Sequence, residues 1–334
     1  MHPIIGRIEQ TIITIWAAIT IGFVLIHQLP SSGVQMLIAI YGRDRFSEMS
    51  TEKIKQLSEG LIGFNPTDPL HQQYLQYVGN LLQGNFGVSA LYGEPVFEVL
   101  ASAIPWTLFM ATLAMIFNTT LAVSLGAYMA YRQGSAFDIG GTVVSIVVSS
   151  IPYYVFAILL LFLLGFQMGW FPTSGRFGDS VTPGFNLPFM ISALRHVTLP
   201  FISLTFTSFA ALGLRAHSIR ILGSDYIRVA RLRGLSERRI VYHYVLRNSL
   251  LPFYTGFVTG LVGLLGGSVI TEQIFNYIGV GYFMFKAATA GDIPMVLGTF
   301  AFFTIASVLA LFVVDMTYHL VDPRAEGVGT DESF

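Results

Sequence analysis

The stretch DYIRVARLRGLSERRIVYHYVLRNSLLP, Asp225 to Pro252, gathers Arg228, Arg231, Arg233, Arg238, Arg239 and Arg247, with Arg215 and Arg220 just before it. Guanidinium groups at that density suit a complementary protein surface or the phosphates of lipid headgroups. Two acids in apolar surroundings offer a different chemistry. Asp315 in FVVDMTYHLVDPR and Glu272 after GLLGGSVI are candidates for a proton relay or an ion site, as any intramembrane acid is. Each also has a structural reading: Asp315 pairs with Tyr318, His319 or Arg324, and Glu272 caps a helix end at headgroup level. Bond-making chemistry has no foothold. The chain contains no G-x-x-x-x-G-K-[ST], no H-E-x-x-H and no G-x-S-x-G, its histidines lack metal spacing, and it has no cysteine.

The elements that must carry these residues are apolar. The 334 residues are 53% hydrophobic and 11% charged, against about 25% charged in soluble domains, with a net charge of -1. Lipid is therefore the solvent, and no global basic field argues for nucleic acid. A bilayer takes about 20 apolar residues per helix. Six runs reach that length: Ile8 to Leu29, Trp106 to Tyr131, Ile139 to Leu164, Leu199 to Ile221, Phe253 to Ile274 and Met295 to Val321. They are too long and continuous for barrel strands, which predicts an all-α membrane protein of six transmembrane helices. The first run exceeds the h-region of a signal peptide, and HQLPSSG is a poor cleavage site, so it reads as a retained helix.

Basic residues favour the cytoplasmic side. This places YRQGSAFD and the arginine-rich segment inside, together with both termini. The outer segments are then Pro30 to Pro105, Gly165 to Thr198 and Glu272 to Pro294. Residues 30–105 are too polar to span and mix turn chemistry (FNPTDP, LQGNFG, LYGEP) with a helical pattern in STEKIKQLSEGL, which predicts a small extracytoplasmic subdomain. The expected organisation is an N-terminal helix over 1–29, that subdomain over 30–105, a five-helix core over 106–321 with a special segment at 223–250, and a cytoplasmic tail over 322–334 whose end, GVGTDESF, is acidic and disordered.

Within the arginine-rich segment, Asp225 after Gly223-Ser224 opens a helix in which Tyr226, Val229 and Ala230 share helical spacing. Gly234 ends it, because glycine takes the left-handed conformation readily. Ser236 is the candidate N-cap of a second helix with Glu237 in its first turn. Topology alone accounts for the arginines singly; it does not require a bend between two helices. Elsewhere, Gly256, Gly260, Gly263, Gly266 and Gly267 form a small-residue strip suited to close helix packing. Gly266, Gly267 and Glu272 are also candidates for the pathway or its gate. Arg195, His196 and His27 fall near outer helix ends, where side chains snorkel.

The segment DYIRVARLRGLSERRIVYHYVLRNSLLP resembles the coupling segment of ABC importer permeases, in the branch that moves peptides, nickel and some oligosaccharides. TIITIWAAITIGFVLIHQLP is similar to that family's first span, QYVGNLLQGNFGVS to its outer segment, SIPYYVFAILLLFLLGFQMGWFPTSG to its third span and following loop, and DMTYHLVDPR to its C-terminal signature. The likeness runs from Thr11 to Arg324 and is nearest the first permease of the pair. The generic motif reads E-A-A, three residues, then Gly. Placed on Gly234, its first positions hold Arg228, Val229 and Ala230, so the acid is missing, while Arg-x-Ala is common in the peptide branch. Which side chain takes the acid's place is open.

The resemblance implies a type I ABC importer permease: a non-catalytic subunit that forms half of a translocation pathway with a second, homologous permease. It implies two cytoplasmic ATPase subunits, which use ATP and Mg that this chain does not bind, and an extracytoplasmic solute-binding protein resting on part of Gly33 to Ala101. The coupling contacts then fall on Asp225, Arg228, Ala230, Arg233, Gly234, Leu235, Ser236 and Glu237, flanked by Arg238 and Arg239. Leu235 is expected to fill an apolar pocket on the ATPase. Peptides are the expected cargo. Oligosaccharides in the same assembly are one alternative, and a stand-alone carrier using Asp315 or Glu272 as its ion-coupling acid is another.

Overall fold

A computed structural model describes residues 3–27, 50, 68–206, 212–245, 260 and 268–321. Among these every regular element is helical, and the extended backbone pairs in one isolated bridge, Val88 with Pro95. The helices are α1 (Pro3–His27), α2 (Leu70–Leu82), α3 (Val96–Tyr131), α4 (Ala136–Ser149), α5 (Tyr153–Leu160), α6 (Leu187–Phe206), α7 (Leu212–Leu222), α8 (Asp225–Leu232), α9 (Glu237–Ile240), α10 (Val269–Ile274), α11 (Val280–Ala290) and α12 (Ile293–Val321). Wider π-helical turns continue α5 over Leu161–Gln167 and α9 over Val241–Val245.

Four of the described helices are long and apolar enough to cross a membrane, and the bent pair α4–α5 makes five. Their outward faces carry large apolar side chains such as Trp16, Ile146 and Val147, as a lipid-facing surface requires. The fifth expected span, Phe253 to Ile274, lies mostly outside the described residues, as do the STEKIKQLSEGL helix, the 322–334 tail, Gly266 and Gly267.

Three expected boundaries shift, the first two for identifiable reasons. The second span begins at Val96 rather than Trp106, with Pro105 inside the helix. Pro105 removes one hydrogen bond, but Val96, Val99, Leu100 and Ala103 bury against Val280, Ala287 and Met295, and that packing holds the extra turns. The end of the 30–105 segment is thus helical and continuous with the span. The third span is bent by 84° between Ser149 and Tyr153. Pro152 offers no amide to the helix and drives Ile151 out of helical geometry, so the apolar run is unbroken while the backbone is not. The fourth span starts at Leu187 and continues through the interior Pro200.

The chain divides into two compact units. In the first (Met1–Leu108, Leu265–Gln273, Ile278–Phe312), Phe23 of α1 stacks on Tyr77 of α2 at 5.3 Å between ring centroids, within a cluster that includes Ile19, Ile293 and Leu297. The second (Phe109–Leu264, Ile274–Tyr277, Val313–Phe334) contains the arginine-rich segment. There Phe156 of α5 stacks on Phe206 of α6. Gly260 lies where an added Cβ would meet Met115 Cε at 2.6 Å, the close approach expected of the glycine strip.

Candidate functional site

The arginine-rich segment folds as helix, bend, helix. The carbonyl of Ser224 starts α8 by accepting from the amides of Ile227 and Arg228, while the Ser224 hydroxyl turns back to the carbonyl of Ile221 at 2.6 Å. The helix ends in a complete Schellman motif. The Gly234 amide donates to the Arg231 carbonyl at 2.9 Å and the Leu235 amide to the Ala230 carbonyl at 3.2 Å, with Gly234 at φ +76°. That φ is why glycine stands at 234, and the accompanying apolar contact is supplied by Leu235 and Ala230 in one cluster. The Ser236 carbonyl accepts from the Ile240 amide at 3.0 Å and opens α9.

Ile227, Ala230, Ile240 and Val245 bury together with Ile221, fastening both arms of the bend to the end of α7. Here the apolar face differs from the sequence expectation. Tyr226 and Val229 are exposed, and Ile227 pairs with Ala230 at i,i+3, because the inner side is set by where α9 and its π-helical extension return. Leu235, expected to reach an external pocket, is half-buried in the same cluster, whereas Leu232 is 81% exposed. The outer face therefore presents Tyr226, Val229 and Leu232 in one helical row, bordered by the exposed Arg228, Arg233 and Arg239. The side chain of Arg238 is not among those described.

Asp225 lies in the first turn of α8, where a carboxylate complements the helix dipole. Across the bend, Arg231 Nε donates to Glu237 Oε1 at 2.7 Å and Nη2 to Oε2 at 3.3 Å. Both side chains are more than 40% exposed, so the pair orients the bend and contributes at most about 1 kcal/mol. The hydrogen bond to Glu237 raises the already high pKa of Arg231. On the open face above Gly234, no described residue other than its flanking ones comes within 4 Å of an added Cβ. The bend is thus a braced protrusion with a small residue at its tip, suited to seating against another surface.

Two acids in the first unit cap helices. Glu272 is fully buried. Its Oε1 accepts from the hydroxyls of Thr107 and Ser268, and its Oε2 from the amide of Tyr282, each at 2.8 Å. The Thr107 hydroxyl in turn accepts from the Val280 amide at 2.9 Å. Two first-turn amides of α11 are satisfied in this way, a capping arrangement with the carboxylate at the positive end of a helix. Asp292 was not singled out by sequence, although G-D-I-P is a helix-start signal. Its Oδ1 accepts from the Met295 amide at 3.1 Å and caps α12, while Oδ2 takes the Ser89 hydroxyl at 2.6 Å and the Leu91 amide at 3.1 Å. It thereby fastens the LYGEP turn to α12.

Asp315 lies on the exposed side of α12, and the side chains of Tyr318, His319 and Arg324 are outside those described. Arg195 donates to the carbonyl of Trp170 at 3.3 Å. Among the described residues no three His, Asp or Glu side chains gather as a metal site would need. Sequence reasoning also passed over Asp138, which is 2% exposed and ion-paired with Arg215. Ser135-x-x-Asp138 is the available signal, a capping-box spacing at the start of α4.

Residues 122–327 match the family model described as "Binding-protein-dependent transport system inner membrane component". The chain is 34% identical to the di/tripeptide transport system permease protein DppB of Pseudomonas aeruginosa (strain UCBPP-PA14), over 95% of this chain and 96% of that one. It is 33% identical to the oligopeptide transport system permease protein AppB of Bacillus subtilis (strain 168), over 78% and 81% of the two chains. It is 30% identical to the dipeptide transport system permease protein DppB of Escherichia coli (strain K12), over 96% and 97%.

Proposed function

The chain belongs to the binding-protein-dependent transport system inner membrane component family, and on that premise we propose that it is one of two permeases of an ATP-driven peptide importer. The observation that carries the cargo class is the near end-to-end likeness to relatives named for dipeptide and tripeptide transport. The partners are a second, homologous permease, two ATPases on the cytoplasmic side and a solute-binding protein outside. Both termini and the arginine-rich bend face the cytoplasm, in keeping with the positive-inside bias. The chain itself binds neither ATP nor Mg, and its work is motion.

In this reading the bend at Gly234 is the coupling element. The row Tyr226, Val229, Leu232 supplies apolar contact, Arg228, Arg233 and Arg239 set register by charge, and the tight turn lets the partner's backbone come close. The buried cluster of Ile227, Ala230, Ile240 and Val245 makes the bend stiff, so a push from closing ATPases passes to α7 rather than dissipating in the turn. Motion of two permeases about a shared pathway then alternates its access.

The test is a mild-detergent purification of the tagged chain from its native membrane, followed by liposome uptake of labelled dipeptides. Two P-loop ATPases and a second permease co-purify, and uptake requires internal ATP and the binding protein. A chain that purifies alone and carries its solute on an ion gradient overturns the proposal.

A further inference from the structure

A topological arginine needs no protein partner, since headgroups and water suffice. Arg215 has one. Its Nε donates to Asp138 Oδ1 at 2.5 Å and its Nη2 to Asp138 Oδ2 at 2.8 Å, a fork closed on a carboxylate that is 2% exposed. Asp138 also accepts from the Gly134 amide at 2.9 Å, and its own amide donates to the Ser135 hydroxyl at 3.3 Å. One side chain therefore holds the Arg132–Ser135 turn, the start of α4 and the Arg215 guanidinium together.

Arg215 sits on α7, and only Gly223 and Ser224 separate α7 from α8. Ser224 is bonded back to Ile221, and Ile221 is buried in the same cluster as both arms of the bend. The bend is thus fastened to α7 by packing, and α7 to the α3–α4 turn by the charge pair. A pair with its carboxylate buried and its guanidinium partly in solvent adds little net stability, whereas its bidentate geometry specifies one arrangement.

We infer that Asp138 and Arg215 form a positioning pair that makes the α3–α4 turn and the coupling bend one moving body, so that a push at Gly234 reaches α4 as well as α7. The inference rests on the proposed coupling role of the bend. Neither residue touches cargo or nucleotide in this scheme; both act through α7.

The experiment uses the complete assembly with its ATPases and binding protein, reconstituted in liposomes. The variants are Asp138→Asn, Arg215→Lys, the exchange Asp138→Arg with Arg215→Asp, and Ser135→Ala, which removes the helix cap and spares the pair. The single pair variants retain their ATPases on purification. In Asp138→Asn, dipeptide uptake and the stimulation of ATP hydrolysis by loaded binding protein fall roughly tenfold, the usual scale of a coupling between two sites. Exchange restores most of the loss, Arg215→Lys lies between, and Ser135→Ala behaves as the native chain. Native stimulation in the single variants, an exchange no better than they are, or an equal loss in Ser135→Ala overturns the inference. Failure of the coupling reading shows elsewhere, as ATPases that stay bound and stimulated when the bend itself is altered at Gly234.

Discussion

Replacing Gly234 separates two reasons for a glycine at the tip of the bend. Its φ of +76° penalises any residue with a Cβ, by roughly 1–2 kcal/mol for ordinary residues and less for Asn, which tolerates this region. Apart from its flanking residues, no described residue lies within 4 Å of an added Cβ, so the described packing opposes no substitution. In the isolated chain the cost is then backbone strain alone and follows Asn, Ala, Val in rising order. Against a partner surface the cost follows size, because a seated side chain overpacks by roughly 1–3 kcal/mol. The proposed coupling contact predicts that Asn, kinder to the turn, is harsher than Ala to transport. Gly234→Ala should lower ATPase retention and uptake by about fivefold, equivalent to about 1 kcal/mol, and Gly234→Asn by tenfold or more. The assay is quantitative co-purification of the ATPases from membranes with equal permease content, with dipeptides taken up per ATP hydrolysed. If Asn matches glycine while Ala and Val fail in order of strain, glycine serves the turn alone, and the face above it is not a partner contact.

Four further outcomes follow from the described contacts. Glu272→Ala strands the hydroxyls of Thr107 and Ser268 and the amide of Tyr282, at about 1–3 kcal/mol for each unsatisfied buried group. It should lower the thermal unfolding temperature in detergent and membrane abundance far more than Glu272→Gln, and a native melting curve for the Ala variant would contradict the capping role. Asp292→Ala removes the cap of α12 and the anchor of the Ser89 turn, costing about 1–2 kcal/mol, read as faster proteolysis near Tyr92. Arg231→Ala breaks an exposed pair and should leave thermal stability within about 1 kcal/mol of native; a larger drop means that the pair bears more of the bend than its exposure allows. Asp315→Asn should leave uptake per molecule unchanged, and loss of transport at normal abundance would point to an ion-coupling acid instead.

Much of the architecture was readable because lipid imposes coarse rules. Long apolar runs must be helices, so membrane class and the cores of the spans follow from composition and length. The bend was equally legible: Gly234 between an Asp225 start and a Ser236 start is local chemistry, and the Schellman bonds are what a glycine in that place makes. Hydropathy could not place the break at Pro152 or the early start at Val96. The first falls inside a continuous apolar run and the second where Glu94 and Glu98 interrupt one, so backbone geometry decides at Pro152 and distant packing at Val96.

Residue types and their local spacing therefore determined the helices and the glycine turn, since each depends on neighbours within a few positions. Tertiary structure alone decided which face of α8 is buried, turning Ile227 inward and Tyr226 and Val229 outward, because the returning α9 sets that face. It alone paired Asp138 with Arg215 and Glu272 with Thr107, partners 77 and 165 residues apart. A lone acid in an apolar run reads the same whether it moves protons or caps a helix. Only the donors that fold around it tell the two apart.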